Sequence, residues 1–303
     1  MSRKISIVEV GPRDGLQNDP VLLPTDMKLE FIDRLIGAGV KRMEAASFVN
    51  PKLVPAMADS VEIMARVPRD KGVSYIGLAL NERGMRAAID AQCDEINFVM
   101  VASEGFGKAN QNATPLETAD LLDRIAILAH DARIPLSATI SVAFGDPFDG
   151  EVDPAILGEL AARAAAAGAV EIALGDTIGV ATPWQVTKAV EIVREAAPDL
   201  TLRLHFHNTR NTAIANVYAA VEAGVSVIDA SAGGIGGCPF APRATGNVAT
   251  EDVVYMLERA GFDTGINLDA MINTARWLEA EALKHPIASA LAKAGGFPPP
   301  PRT

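Results

Sequence analysis

The chain is poor in cysteine, histidine, aromatics and positive charge. Only Cys93 and Cys238 occur in 303 residues, too few and too far apart for a disulfide framework, so a reducing, cytoplasmic setting is expected. No run reaches the roughly 18 to 20 apolar residues of a membrane span. The first residues, "MSRKISIVEV", lead into a strand with no signal-peptide pattern. Against 38 acids stand 27 lysines and arginines, a formal net charge of −11. That balance argues against nucleic acid or an anionic membrane as partner and leaves a small molecule, which local basic residues could still receive if it is acidic.

Apolar residues are plentiful. A hydrophobic fraction of 49% with 21% charged residues supports a large core. Eight β-rich runs, "ISIVEV", "RMEAASF", "VSYIGLAL", "EINFVMV", "LSATISVAF", "VEIALGD", "LRLHFHN" and "VSVIDASAG", alternate with amphipathic stretches such as "DMKLEFIDRLIGAG" and "LETADLLDRIAILAHDA". Strands alternating with helices must run parallel, and eight such units predict an α/β fold, a closed (β/α)8 TIM barrel, within a single domain over 1–303. An open doubly wound sheet is the alternative, but no G-x-G-x-x-G follows the first strand, which runs into "GPRDGLQ". A faint repeat, "AGVKRMEA", "AGAVEIAL" and "AGVSVIDA", sets a helix-ending glycine before a strand carrying Glu44, Glu171 or Asp229. An extra helical segment is expected over 269–294, packed on the barrel, and a flexible proline-rich tail over 295–303.

In such a barrel the chemistry belongs at the carboxyl ends of the strands. There the sequence places Arg13 and Asp14 on strand one, Glu44 and Ser47 on strand two, Asp176 on strand six, and His205, His207 and Asn208 on strand seven, with Cys238 and Asn247 after strand eight. Two imidazoles two residues apart share a strand face. Closure brings strands seven, eight, one and two into one arc, so Asp14, His205, His207 and Asn247 can converge as a mixed nitrogen and oxygen set suited to Mg²⁺ or Mn²⁺. Each feature also has a plainer explanation. The histidines could cap carbonyls, Arg13 and Asp14 could be a salt bridge at the barrel mouth, Glu44 could partner Arg13, and Asp176 could cap the helix that follows. Cys238 lies in "GGIGGCPFAPRATGN", a loop long enough to be a lid, although a thiol there could simply pack. Cys93 reads as core, His130 and His285 as helical packing or surface residues, and Lys52, Lys108 and Arg243 as weak candidates for an anionic cofactor tail.

Taken together, "VEVGPRDGLQND", "EAASFVNPKLVP", "ALGDTIGVATP", "HFHNT" and "GGIGGCPFAPRATGNVATEDVVYML" resemble the 3-hydroxy-3-methylglutaryl-CoA lyase family. The resemblance runs to about Leu268. It implies a divalent-metal-dependent carbon–carbon lyase acting on an acyl-CoA, with Asp14, His205, His207 and Asn247 as ligands, Arg13 at the enolate oxygen and Cys238 as the loop thiol. Glu44 and Asp176 would support catalysis, and Gln17, Ser47, Thr177 and Arg210 would contact substrate. A homodimer or larger homo-oligomer is also in keeping with it. One departure stands out: family members typically follow the second histidine with aspartate and Tyr-Gly-Gln, whereas this chain has Asn208, Arg210, Asn211 and Thr212.

Overall fold

A computed structural model describes residues 3–237 and 246–297. Eight parallel strands close into a barrel in chain order: β1 Ser6–Glu9, β2 Arg42–Ser47, β3 Ser74–Ala79, β4 Glu95–Val101, β5 Leu136–Ser141, β6 Glu171–Asp176, β7 Thr201–Phe206 and β8 Val227–Ala230. This is the expected TIM barrel, and every run quoted from the sequence supplies one strand. The ring closes where Ser6 to Glu9 pair with Val227 to Ala230. A register shift between Glu44 and Ala46 bulges β2 against β3, which re-aims the end of the strand that carries Ser47.

Helices α1 Thr25–Gly37, α2 Ser60–Arg66, α3 Glu82–Asp90, α4 Glu104–Gln111, α5 Pro115–Ala132, α6 Ala155–Ala166, α7 Pro183–Ala196, α8 Ala213–Glu222 and α9 Thr250–Arg259 fall outside the strands. Local chemistry fixes where two of them begin. In "TPLE" and "TPWQ" the threonine accepts from the third helical amide while the Glu117 or Gln185 side chain accepts from the threonine amide, with proline at the first helical position. The main core lies between strands and helices, where Phe31, Leu35, Phe98, Leu160 and Phe206 are fully buried. A smaller apolar cluster, Val8, Val10, Ile76 and Val227, is separate from it.

Past the barrel, the single extra helix expected from the sequence divides. Helix α10 Leu268–Trp277 passes into a wider π-type turn over Leu278–Leu283, and a short α11 Ala290–Ala294 follows. Ser289 and the amides of Ala290 and Leu291 are held by the Asp252 carboxylate. Trp277 packs on Phe31 with ring centroids 6.4 Å apart, and the Arg34 guanidinium covers its other side at 4.5 Å. The start of the expected tail is not without partners: Arg259 lies over the Phe297 ring at 4.9 Å. Residues 298–303 lie outside the described part.

Candidate metal and catalytic centre

Strand β1 stops at Glu9, and Gly11–Gly15 forms a π-type turn, so Arg13 and Asp14 sit on this turn rather than on the strand end. The buried Glu9 carboxylate anchors the turn, accepting from the Gly11 amide at 2.9 Å, the Ala232 amide at 2.9 Å and the Thr250 hydroxyl at 2.6 Å. Burial outweighs these bonds and pushes the Glu9 carboxyl up to about 7.

From the turn, Asp14 meets the two histidines. Asp14, His205 and His207 offer ligand atoms that all lie within 4.8 Å of one another. Asp14 Oδ2 is 4.0 Å from His205 Nε2 and 3.7 Å from His207 Nε2, and the two imidazole centroids are 5.2 Å apart. A backbone bridge pairs His207 with Asn247. Asn247 Nδ2 donates to Asp14 Oδ2 at 2.7 Å and to the Ile235 carbonyl at 3.0 Å. Its Oδ1 is buried and accepts no hydrogen bond. Such an orphaned amide oxygen, beside two imidazoles and a carboxylate, is what a hard divalent cation binds. Gly236, at φ +117, makes this approach possible, since a Cβ there would stand 2.5 Å from Asn247 Nδ2.

Arg13 is clamped on two sides. Its Nη1 donates to Asp14 Oδ1 at 2.7 Å and its Nε to Glu44 Oε2 at 2.8 Å, and Nη2 also contacts Glu44. Glu44 is therefore Arg13's partner, as the plainer sequence reading had it, and its other oxygen accepts from Asn97 at 3.3 Å. Burial opposes ionisation of Asp14, but the Arg13 guanidinium, with the two imidazoles, holds its carboxyl well below the usual carboxylate range. A guanidinium has five N–H donors, so Arg13 keeps hydrogens for an oxygen arriving above it.

Below the site runs a chain of charge of which the sequence reading singled out only Glu44, Glu171 and Asp229. Arg42 bridges Glu95 and Glu171, both at 2.7 Å. Arg203 Nε lies 2.7 Å from Glu171, poorly aligned for a hydrogen bond, and its Nη1 donates to both oxygens of Asp229 at 2.9 and 3.1 Å. Asp229 Oδ2 meets His205 Nδ1 at 3.1 Å. All three acids of the faint repeat thus belong to one network. Within it, among the described residues, the guanidiniums of Arg13, Arg42 and Arg203 face the carboxylates of Asp14, Glu44, Glu95, Glu171 and Asp229. Five carboxylates against three guanidiniums leave two carboxylates over, which one divalent cation would balance.

Other expected residues lie on neighbouring strands and loops. Asp176 is buried and accepts from the amides of Val180 at 2.8 Å and Ala181 at 3.2 Å, so it shapes the loop before α7, while Thr182 caps the helix itself. Burial raises its carboxyl pKa despite those bonds. Thr177 Oγ1 accepts from the Val142 amide at 2.9 Å. Ser47 is buried at the end of β2 with an unpartnered hydroxyl, and Gln17 is half-buried just past the π-type turn. Exposed Arg210 donates from Nη1 to the carbonyls of Ile178 and Gly179 at 2.9 and 3.0 Å, tying its loop to the one after β6. Cys238 and Arg243 lie outside the described residues. At the described edge of that loop, Asn18 Nδ2 donates to the Gly237 carbonyl at 2.9 Å.

Among the remaining candidates, Cys93 is core, and burial pushes its thiol up to about 12. His130 is exposed on α5. His285 is not helical; it follows the π-type turn and bonds Asp19 at 3.0 Å. Lys108 lies on α4, paired with Glu104 at 3.3 Å, while Lys52 is exposed in the loop after β2. No helix among the described residues is long and apolar enough to cross a membrane.

A family model described as HMGL-like matches residues 4–278. The chain is 39% identical over 287 residues to the hydroxymethylglutaryl-CoA lyase YngG of Bacillus subtilis, covering 95% of this chain and 96% of that one. It is 41% identical over 302 residues to the (R)-citramalyl-CoA lyase of Chloroflexus aurantiacus, covering 96% and 95%. Its fold superimposes with a TM-score of 0.92 and 39% identity on an HMG-CoA lyase from Acinetobacter baumannii in complex with coenzyme A and 3-methylmalate, over 97% of this chain and 96% of that one. Barrel and relatives agree: the chain belongs to the HMGL-like family and is an enzyme of the carbon–carbon lyase type.

Proposed function

We propose that the chain cleaves 3-hydroxy-3-methylglutaryl-CoA to acetyl-CoA and acetoacetate with the help of Mg²⁺ or Mn²⁺. The observation carrying this reading is the convergence of Asp14, His205 and His207 directly beside a buried, clamped arginine. Asn247 would complete the ligand set through its unpartnered oxygen. When bound, the cation would supply Lewis acidity to the substrate's tertiary hydroxyl, making its proton easier to lose to a neighbouring base. The protein then has to manage charge. As the C2–C3 bond breaks, electrons move toward the thioester oxygen, and Arg13 is already fixed by Glu44 and Asp14 to meet it. Charge that develops only during bond cleavage is where such a donor lowers the barrier. Cys238, on the loop that begins beside Asn18, is assigned the proton delivered to C2. Asp176, with each oxygen engaged by a backbone amide, is left a supporting role in shaping the mouth.

A second reading keeps the chemistry and changes the acyl group. The citramalyl-CoA lyase relative is as similar as the hydroxymethylglutaryl-CoA lyases. Arg210, exposed at the rim and bonded to carbonyls through Nη1, has further donors for a carboxylate placed differently, as in citramalyl-CoA, or for a differently shaped acyl group, as in a 3-hydroxy-3-isohexenylglutaryl-CoA. We further assign a cytoplasmic location and a homo-oligomeric state to this enzyme.

Incubation with a panel of these thioesters, with and without chelator, tests the proposal by acetyl-CoA release. Metal-dependent release from the methylglutaryl thioester is expected. Exclusive cleavage of another thioester would install the second reading, and full turnover by thoroughly demetallated protein would end both.

A further inference from the structure

The two histidines of the site are held differently. His207 Nδ1 is buried and has no hydrogen-bond partner. His205 Nδ1 faces Asp229 Oδ2 at 3.1 Å, because His205 on β7 and Asp229 on β8 are direct register partners. Asp229 in turn is gripped through both oxygens by Arg203, two residues before His205 on the same strand. Arg203 is almost wholly buried, at 1% exposure, and faces Glu171 through its Nε.

We infer that Asp229 and Arg203 are positioning residues that fix the tautomer and ring angle of His205 for metal binding. A carboxylate bonded to a guanidinium has only lone pairs to offer the imidazole, so Nδ1 must carry the hydrogen. In the neutral ring this leaves the Nε2 lone pair on the side facing Asp14, the geometry a ligand nitrogen needs. Arg203 acts one step further out. It keeps the Asp229 carboxylate from turning away and supplies the positive charge that a buried carboxylate requires. Both are buried on the strands themselves, Arg203 on β7 and Asp229 on β8, rather than on the loops that follow them. Their effect therefore reaches the chemistry only through His205. The inference rests on the metal-dependent reading above.

Mn²⁺ titration of the purified full-length protein, followed by the paramagnetic resonance of free Mn²⁺, separates the two claims. Wild type is expected to bind one Mn²⁺ per chain; if it binds none, the metal-dependent reading itself fails. Given binding, Asp229→Asn, whose amide can present a donor to Nδ1 and reverse the tautomer, should weaken affinity about 10- to 100-fold. Arg203→Met should weaken it less, and Arg203→Lys should restore part of the loss. Unchanged affinity in folded Asp229→Asn overturns the inference. A second measurement needs no variant: with only four histidines in the chain, long-range proton–nitrogen correlation on the Mg²⁺-saturated protein can resolve His205. A hydrogen on Nδ1 is expected, and one on Nε2 overturns the inference.

Discussion

The inside of the barrel and the layer around it solve opposite problems. Between strands and helices the contacts are apolar and fully buried, as with Phe31, Leu35 and Leu160. Separate from that layer is a small aliphatic cluster of Val8, Val10, Ile76 and Val227, and barrels of this type usually stack branched residues in layers inside. Arginines and acids meet there instead, Arg42 of β2 reaching across to Glu95 of β4 and Glu171 of β6, and Arg203 of β7 lying between Glu171 and Asp229 of β8. The outer layer makes the fold stable and tolerates rearrangement. The inner column contributes little net stability, because desolvating its charges costs about what their attraction returns. What it gives is direction, since each charged group has one place to point.

The largest expected effect is on turnover. Arg13→Met should lower kcat by roughly 10²- to 10³-fold, and steady-state kinetics at saturating metal would show it; an unaltered kcat would remove Arg13 from the reaction. Next comes stability inside the barrel. Arg203→Met strands Asp229 and should cost about 3 to 5 kcal/mol, read by urea denaturation, even though it adds an apolar side chain to an interior. Leu160→Ala, on α6 and far from the site, should cost about 2 to 5 kcal/mol while leaving kcat intact. If the leucine variant lost activity and the arginine variant did not, the division between the two regions would be wrong.

A pH dependence comes between them and the surface. Glu9 and Glu251 are both buried, and burial pushes each carboxyl from 4.5 up to about 7. The folded state therefore holds a proton on each over a range where the unfolded chain has lost it. Stability from these groups is full below about pH 4.5 and declines as pH rises toward 7, by an amount on the order of 3 kcal/mol per group. Glu251→Gln should flatten its share of that slope in denaturation midpoints measured from pH 4.5 to 7.5. The smallest effect belongs to the surface: Arg163 reaches Asp120 and Asp123 across α5 and α6. Arg163→Ala should change stability by less than about 1 kcal/mol, in contrast to the buried Arg203 pair.

Much of this was visible in the sequence because short-range rules write it there. The period-two spacing of His205 and His207 announced a shared strand face, and the faint repeat set Glu44, Glu171 and Asp229 each on a strand that follows a helix-ending glycine. What stayed hidden depends on closure. Arg42, Glu95 and Arg203 look like stray charges in apolar runs until closure of the barrel sets Arg42 against Glu95 and Glu171, and Arg203 against Glu171 and Asp229. The turn carrying Arg13 and Asp14 reads as the end of a strand, since nothing local marks a π-type turn held by Glu9 from beneath. Asp176 is ambiguous for a different reason: a carboxylate that bonds loop amides and one that moves a proton have the same sequence signature.

The column also bears on how this barrel could change over generations. Each guanidinium answers to two carboxylates and Glu171 answers to two guanidiniums, so a lone replacement leaves an unmatched buried ion. Drift through this interior should proceed by concerted exchanges of complementary partners, while the helical coat varies one position at a time.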